Sequence, residues 1–151
     1  MTDLFIALAE TEEDRVACFA IRREVFVVEQ NVPAELEWDE HDAEALHILA
    51  RDAHSHAPLG TARLVHYKPG IVKIGRVCVL AAARGRGVGA SIMEFAWGES
   101  LRRGYTEAQL SAQVAVLDFY ERLGYESFGE EFMDAGILHR MMRKSPIPPP
   151  R

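Results

Sequence analysis

The segment VCVLAAARGRGVGASIMEFA, residues 77–96, limits the fold of this chain more than any other stretch. It sets a β-branched run, a turn dense in glycine and an amphipathic stretch in direct succession. Val88, Ile92, Phe95 and Ala96 recur on one face at helical spacing, and Gly104 stands where a helix-ending glycine belongs after Arg102 and Arg103. A strand that enters a helix through Gly85, Gly87 and Gly89 leaves backbone N–H groups free at the positive end of the helix dipole. No Cβ bars close approach there, so phosphates bind such turns readily. Arg84 and Arg86 add positive charge. Two other readings compete at this point. The glycines could serve turn geometry alone, and GRGVGA also fits the G-x-G-x-x-G/A dinucleotide fingerprint. The fingerprint suits its context poorly, because Glu107 precedes its strand and few residues remain for further βα units.

The rest of the chain arranges itself around that segment. Residues 4–9 read as a first strand. Thr11 followed by Glu12, Glu13 and Asp14 reads as a helix N-cap with an acidic first turn. Val16, Phe19, Ala20, Val25 and Val27 carry a helical pattern as far as about Gln30, where Asn31-Val32-Pro33 breaks it. Residues 35–44 are acidic, include Trp38 and His41, show no apolar period and read as a loop. Runs at residues 46–51, 60–67 and 71–80 predict an antiparallel meander. Beyond Gly104, residues 108–113 predict a strand and residues 116–123 a short helix closed by Gly124. Residues 137–143 predict a last strand after the turn Asp134-Ala135-Gly136. The order β, α, three β, α, β, α, β describes one α/β domain over residues 1–144, with 145–151 a flexible Pro-rich tail that cannot join a sheet.

Composition narrows the function classes. A chain of 151 residues supports one core, and 48% hydrophobic with 26% charged residues is ordinary for a soluble protein. No apolar run approaches the roughly 18 residues that cross a bilayer, so no membrane partner is expected. The acidic start MTDLFIALAETEEDR resembles neither a signal nor a transit peptide, which predicts a cytoplasmic location. A net charge of −6 argues against nucleic acid and favours an amine as partner. Cys18 and Cys78, far apart among apolar residues, read as buried thiols, with neither disulfide nor metal-ligand spacing.

On the residues Arg84, Gly87 and Gly89, which match Arg/Gln-x-x-Gly-x-Gly/Ala, the sequence resembles the GNAT acyltransferase superfamily. Val77-Cys78-Val79 before the turn and DFYERLGY, residues 118–125, after it fall in that family's usual places. RREVFVVEQ, EWDEHD, KIGRV, LSAQ and GEEFMDAGILH extend a narrower resemblance, to the ElaA-like branch, over nearly the whole chain. The resemblance implies the α/β (α+β) GNAT fold, a mixed central sheet of about six to seven strands flanked by helices. It also implies acetyl-CoA as co-substrate, without a metal. By the same resemblance Val77, Cys78, Val79, Arg84, Gly85, Arg86, Gly87, Val88, Gly89, Ala90 and Gln113 hold the cofactor. Gln113 departs from the Asn most members carry.

The implied chemistry is transfer of an acetyl or other acyl group to a primary amine by direct attack. A strand edge can hold pantetheine as an added strand, and the N–H of Val79 would polarise the thioester carbonyl. Tyr120 is the implied acid for the departing thiolate, although a Tyr on a short helix read by itself is a packing residue. Cys78 has no adjacent His to activate it and reads as strand packing. Glu35, Glu37, Asp39, Glu40 and Asp42 are candidates to take the amine's proton, against the plain alternative of a solvated acidic loop. Arg76, in a strand otherwise apolar, needs a carboxylate partner and could organise an acceptor pocket together with Glu37 and His47. His47 and His139 each sit in a predicted strand, where a single histidine is more often a hydrogen-bonded structural residue than a catalyst. The competing class is a non-catalytic acyl-CoA-binding module, which the presence of Tyr120 disfavours. The acceptor's identity stays open, as does a homodimer.

Overall fold

The structure, a computed structural model, describes residues 3–146. The elements in chain order are β1 (Leu4–Leu8), α1 (Glu12–Arg22), a π-helical segment (Arg23–Glu29), α2 (Ala34–Glu37), a 3₁₀ turn (Glu40–Ala43), β2 (Leu46–Asp52), β3 (Pro58–Lys68) and β4 (Ile71–Val79). Then follow α3 (Val88–Arg102), β5 (Glu107–Gln113), α4 (Leu117–Arg122), β6 (Glu126–Asp134) and β7 (Ile137–Lys144). One seven-stranded sheet has the order β1-β2-β3-β4-β5-β7-β6. All neighbours are antiparallel except β4 and β5, which run parallel because α3 carries the chain back between them. Among the described residues, no helix is long and apolar enough to cross a membrane.

Period-two alternation divides the core between the two faces of the sheet. Ile48, Ala50, Ala62, Leu64, Val72 and Ile74 point to one face and pack with Val88, Ile92, Met93 and Ala96 of α3. Leu49 and Cys78 point to the other and pack with Cys18, Ile21 and Val25. Thr11 starts α1 as expected, its hydroxyl accepting from Asp14 N–H at 3.0 Å. Gly60 lets α3 approach the sheet: a Cβ there would lie 2.8 Å from Ile92 Cδ1 and 3.0 Å from the Cys78 carbonyl oxygen.

Three expectations are corrected. The helix predicted to reach Gln30 is regular only to Arg22 and continues as a π-helix, with Gln30 N–H bonding back to the Val25 carbonyl. Residues 35–44 are not one loop: α2 begins after Pro33, and Asp39 with Asp42 forms a capping box on the 3₁₀ turn. Both pieces are too short to show a period. The seventh strand, β6, was absent from the predicted order. ESFGEEFMD is a mostly exposed edge with its register broken between Phe128 and Phe132, so apolar alternation never develops. Of the predicted tail, residues 147–151 lie outside the described residues.

Candidate active site

The parallel pair β4 and β5 joins at only three register positions, Ile71↔Glu107, Val72↔Ala108 and Lys73↔Gln109. Past these the strands separate. β5 stays paired with β7 as far as Gln113↔His139, and β4 stays with β3, so a cleft opens between their C-terminal ends. Within β4 a bulge sets Arg76 and Val77 opposite the single residue Ala62, and Arg76 takes φ +53°. A non-glycine residue seldom occupies that left-handed region, and the bulge turns the strand edge from its neighbour. Val77, Cys78 and Val79 follow with no ladder partner on the cleft side among the described residues.

That edge leads into the glycine turn. Gly85 and Gly87 have φ +82° and +76°, which their lack of a Cβ permits. Gly87 is the N-cap of α3, and no side chain caps the helix, so its first N–H groups remain available. Buried Val88 anchors the turn in the core, and half-buried Ala90 continues the first helical turn. A Cβ at Gly89 would lie 3.3 Å from Phe119 Cζ and 3.8 Å from Val79 Cγ2, facing the cleft between β4 and α4. Arg84 donates from Nε to the Val79 carbonyl oxygen at 3.0 Å, and from Nη1 and Nη2 to Glu29 at 2.6 and 2.7 Å. Arg86 turns instead to Asp52, at 3.1 Å.

Across the cleft, Tyr120 of α4 is only 8% exposed. It sits in edge contact with Phe119 and Tyr125, with ring centroids 5.0 and 6.1 Å apart. Burial, with the Cys78 thiol nearby, pushes its phenol above the ordinary value and keeps it protonated near neutral pH. Burial likewise raises the Cys78 thiol, which suits strand packing rather than nucleophilic duty. Gln113, ending β5, donates to Gln30 Oε1 at 2.9 Å.

The acidic loop is not a solvated run. Arg22 donates to Glu37 Oε1 at 2.7 Å and to Asp42 Oδ1 at 2.7 Å, and Arg63 donates to Asp39 Oδ1 at 2.7 Å and Asp42 Oδ1 at 2.8 Å. Arg76 finds its partners here too, donating mainly to the Glu37 carbonyl oxygen, at 2.7 and 2.9 Å. With a side chain 1% exposed, Glu37 serves these arginines and does not stand open to a ligand. His47 lies buried, its Nε2 3.0 Å from the Asp42 carbonyl oxygen. The loop is therefore riveted to α1, β3 and the β4 bulge.

These rivets carry a pH dependence. Arg63 holds the Asp39 carboxyl below its ordinary value. Burial acts to raise Asp42, but hydrogen bonds from Arg22 and Arg63 outweigh it and hold this carboxyl well below the usual range. A carboxyl depressed on folding stabilises at pH above its unfolded value, and that stability is lost as pH falls through and below about 4. The urea midpoint is thus expected to drop between pH 7 and pH 3. Asp42→Asn, less stable at pH 7, should show a smaller drop, and an equal drop in both proteins would remove Asp42 as a source.

Two residues at this site escaped the sequence reading, Glu29 and Gln30. RREVFVVEQ contains both, but their partners Arg84 and Gln113 lie 55 and 83 residues further on, and nothing local joins them.

The family profile of the acetyltransferase (GNAT) domain matches residues 7–146. The uncharacterized N-acetyltransferase YjcF of Bacillus subtilis (strain 168) is 41% identical over 138 residues, covering 91% of this chain and 96% of that protein. An acyl-CoA N-acyltransferase from Pseudomonas aeruginosa superposes with a TM-score of 0.83 at 32% identity, over 96% of this chain and 100% of that one. Escherichia coli ElaA superposes with a TM-score of 0.82 at 26% identity, over 96% and 100%.

Proposed function

Since this chain belongs to the GNAT family of acetyltransferases, we propose that it transfers an acetyl or other acyl group from acyl-CoA to a primary amine by direct attack. The observation that carries this reading is the continuity of the open β4 edge at Val77, Cys78 and Val79 with the uncapped, glycine-rich start of α3. The edge fits an extended pantetheine arm, and the turn fits a diphosphate. Acetyl-CoA would supply an acyl group activated as a thioester.

The chain's own part is positional and electrostatic. N–H groups from Gly87 to Ala90 meet the phosphates. The Val79 N–H points its dipole at the carbonyl oxygen on which negative charge develops. Tyr120, neutral near pH 7, donates its proton to the departing sulfur. Arg76, Glu37 and His47 shape the acceptor side through the loop they fasten, and do not bind the amine themselves.

Arg84→Ala should weaken CoA binding without abolishing it, because the backbone cradle remains. A charge-assisted hydrogen bond contributes about 1.5–3 kcal/mol. Arg84 is 43% exposed, so solvent screening reduces the expected loss to about 1 kcal/mol, or roughly fivefold in Kd. Calorimetry at low salt reads it, and an unchanged Kd would show that Arg84 does not face the phosphates.

The reading as a whole is tested by release of free CoA thiol from acetyl-CoA across small amines, polyamines, peptide N-termini and lysine side chains. At least one class should raise release well above hydrolysis. CoA bound by calorimetry with no amine accelerating thiol release would favour a binding module instead.

A further inference from the structure

Resting on that reading, we propose that Glu29 is the carboxylate that receives the acceptor's ammonium group, and that Arg84 keeps it paired until the diphosphate of acyl-CoA competes for Arg84.

The argument begins with place. Glu29 and Gln30 end the π-helical segment, and each reaches one wall of the cleft: Glu29 the Arg84 side chain beyond β4, Gln30 the Gln113 side chain at the end of β5. The two residues therefore span the mouth just where the strands have parted. The route from Glu29 to the reacting centre is short, since the guanidinium that holds it also donates to the carbonyl oxygen of Val79 at 3.0 Å. The segment's own geometry maintains this reach. Val32 N–H bonds to the Phe26 carbonyl at 2.8 Å, and Asn31 stands at φ +59°, so the chain turns sharply behind the pair. Wide helical turns of this kind recur at functional sites.

Comparison with the other carboxylates supports the same residue. Of those on the loop, Glu37 is buried on Arg22, and Asp39 and Asp42 lie on Arg63 and Arg22, while the exposed Glu35 and Glu40 make no bond to either wall of the cleft among the described residues. Glu29 is 42% exposed and has Arg84 as its ionic partner. A pair so exposed contributes little to stability, so the two phosphates drawn to the N-terminus of α3 can displace the carboxylate from Arg84. A free carboxylate then faces the mouth. It accepts one proton from the ammonium and passes it to solvent. The amine nitrogen forms the bond to the acyl carbon as the C–S bond breaks. Tyr120 protonates the sulfur, and the second nitrogen proton returns to Tyr120 through water. One proton is released per turnover.

The test is Glu29→Gln, nearly isosteric and half exposed, measured for CoA affinity by calorimetry and for turnover with the best amine of the thiol-release panel. CoA should bind about two- to fivefold tighter, because Arg84 is no longer held, while kcat/KM for the amine should fall at least fiftyfold. Opposite signs separate this role from a structural one, which would weaken both. The gain in affinity should vanish in an Arg84→Ala background. Equal or weaker CoA binding in Glu29→Gln, or unchanged turnover, overturns the proposal. Should Glu29→Gln fail to fold, Glu29→Asp carries the test: tighter CoA binding with reduced turnover supports the proposal, and any other result overturns it. If the parent protein itself binds no CoA, the family-based reading of the cleft falls first, and this proposal with it.

Discussion

Replacing Tyr120 by Phe is expected to lower kcat by about 10²- to 10⁴-fold while leaving acetyl-CoA affinity nearly unchanged, the signature of a lost general acid. The structure makes this a clean substitution. The ring is buried among Phe119, Tyr125 and the α3 face of the core, so its apolar contacts persist in the variant. The substitution removes one oxygen and no packed carbon, so it opens no sizeable cavity. Stability should therefore move by well under about 1 kcal/mol. Burial raises the phenol, which keeps the proton in place at neutral pH and makes Tyr120 a weaker acid than in water. Its proposed value as an acid would then rest on proximity to the sulfur that gains charge rather than on acid strength. A thioester with a better leaving group should narrow the gap between Tyr120 and Phe. Near-normal turnover in a folded, CoA-binding Phe variant would take Tyr120 out of the mechanism.

What could be read in advance divides along a physical line. β2, β3 and β4 carry near-continuous runs buried on both faces of the sheet and α3 one apolar stripe, and burial dictates these patterns, so they were legible. The glycine turn into α3 was legible because glycine at positive φ is a local requirement. β6 was not, since an edge strand that buries little needs no alternation. The acidic loop misled for a related reason: EWDEHD has the composition of a solvated run, and only its arginine partners on α1, β3 and β4 turn it into structure. Ion pairs across 20 or more residues leave no periodic trace. The same holds for Glu29 with Arg84 and Gln30 with Gln113, which are set by where the π-helical segment ends rather than by either local sequence.

Substituting Gly89 by Glu should abolish measurable CoA binding while the domain stays folded. The effect has two additive sources. A Cβ at this position points toward Phe119 and Val79, 3.3 and 3.8 Å away, so the longer side chain must continue into the cleft that the cofactor would occupy. Its carboxylate would also sit in the first turn of α3, where the positive end of the dipole and the free N–H groups attract an anion, and would take the place proposed for the phosphates. The same interaction protects the fold, because an acidic residue in the first turn stabilises a helix by about 0.3–1 kcal/mol. Phe119 must yield only a few tenths of an ångström. Gly87→Glu is expected to abolish binding as well. It is the harsher test, since Gly87 has φ +76° and any side chain there is strained by roughly 1–2 kcal/mol. Gly89→Ala isolates the steric source: it adds the Cβ without the charge or the reach, and should weaken CoA binding by a smaller factor. Circular dichroism and a urea midpoint close to the parent's would certify the Gly89→Glu fold, and calorimetry with CoA would then decide. Parent-like affinity in that folded variant would mean that the diphosphate does not lie at the start of α3.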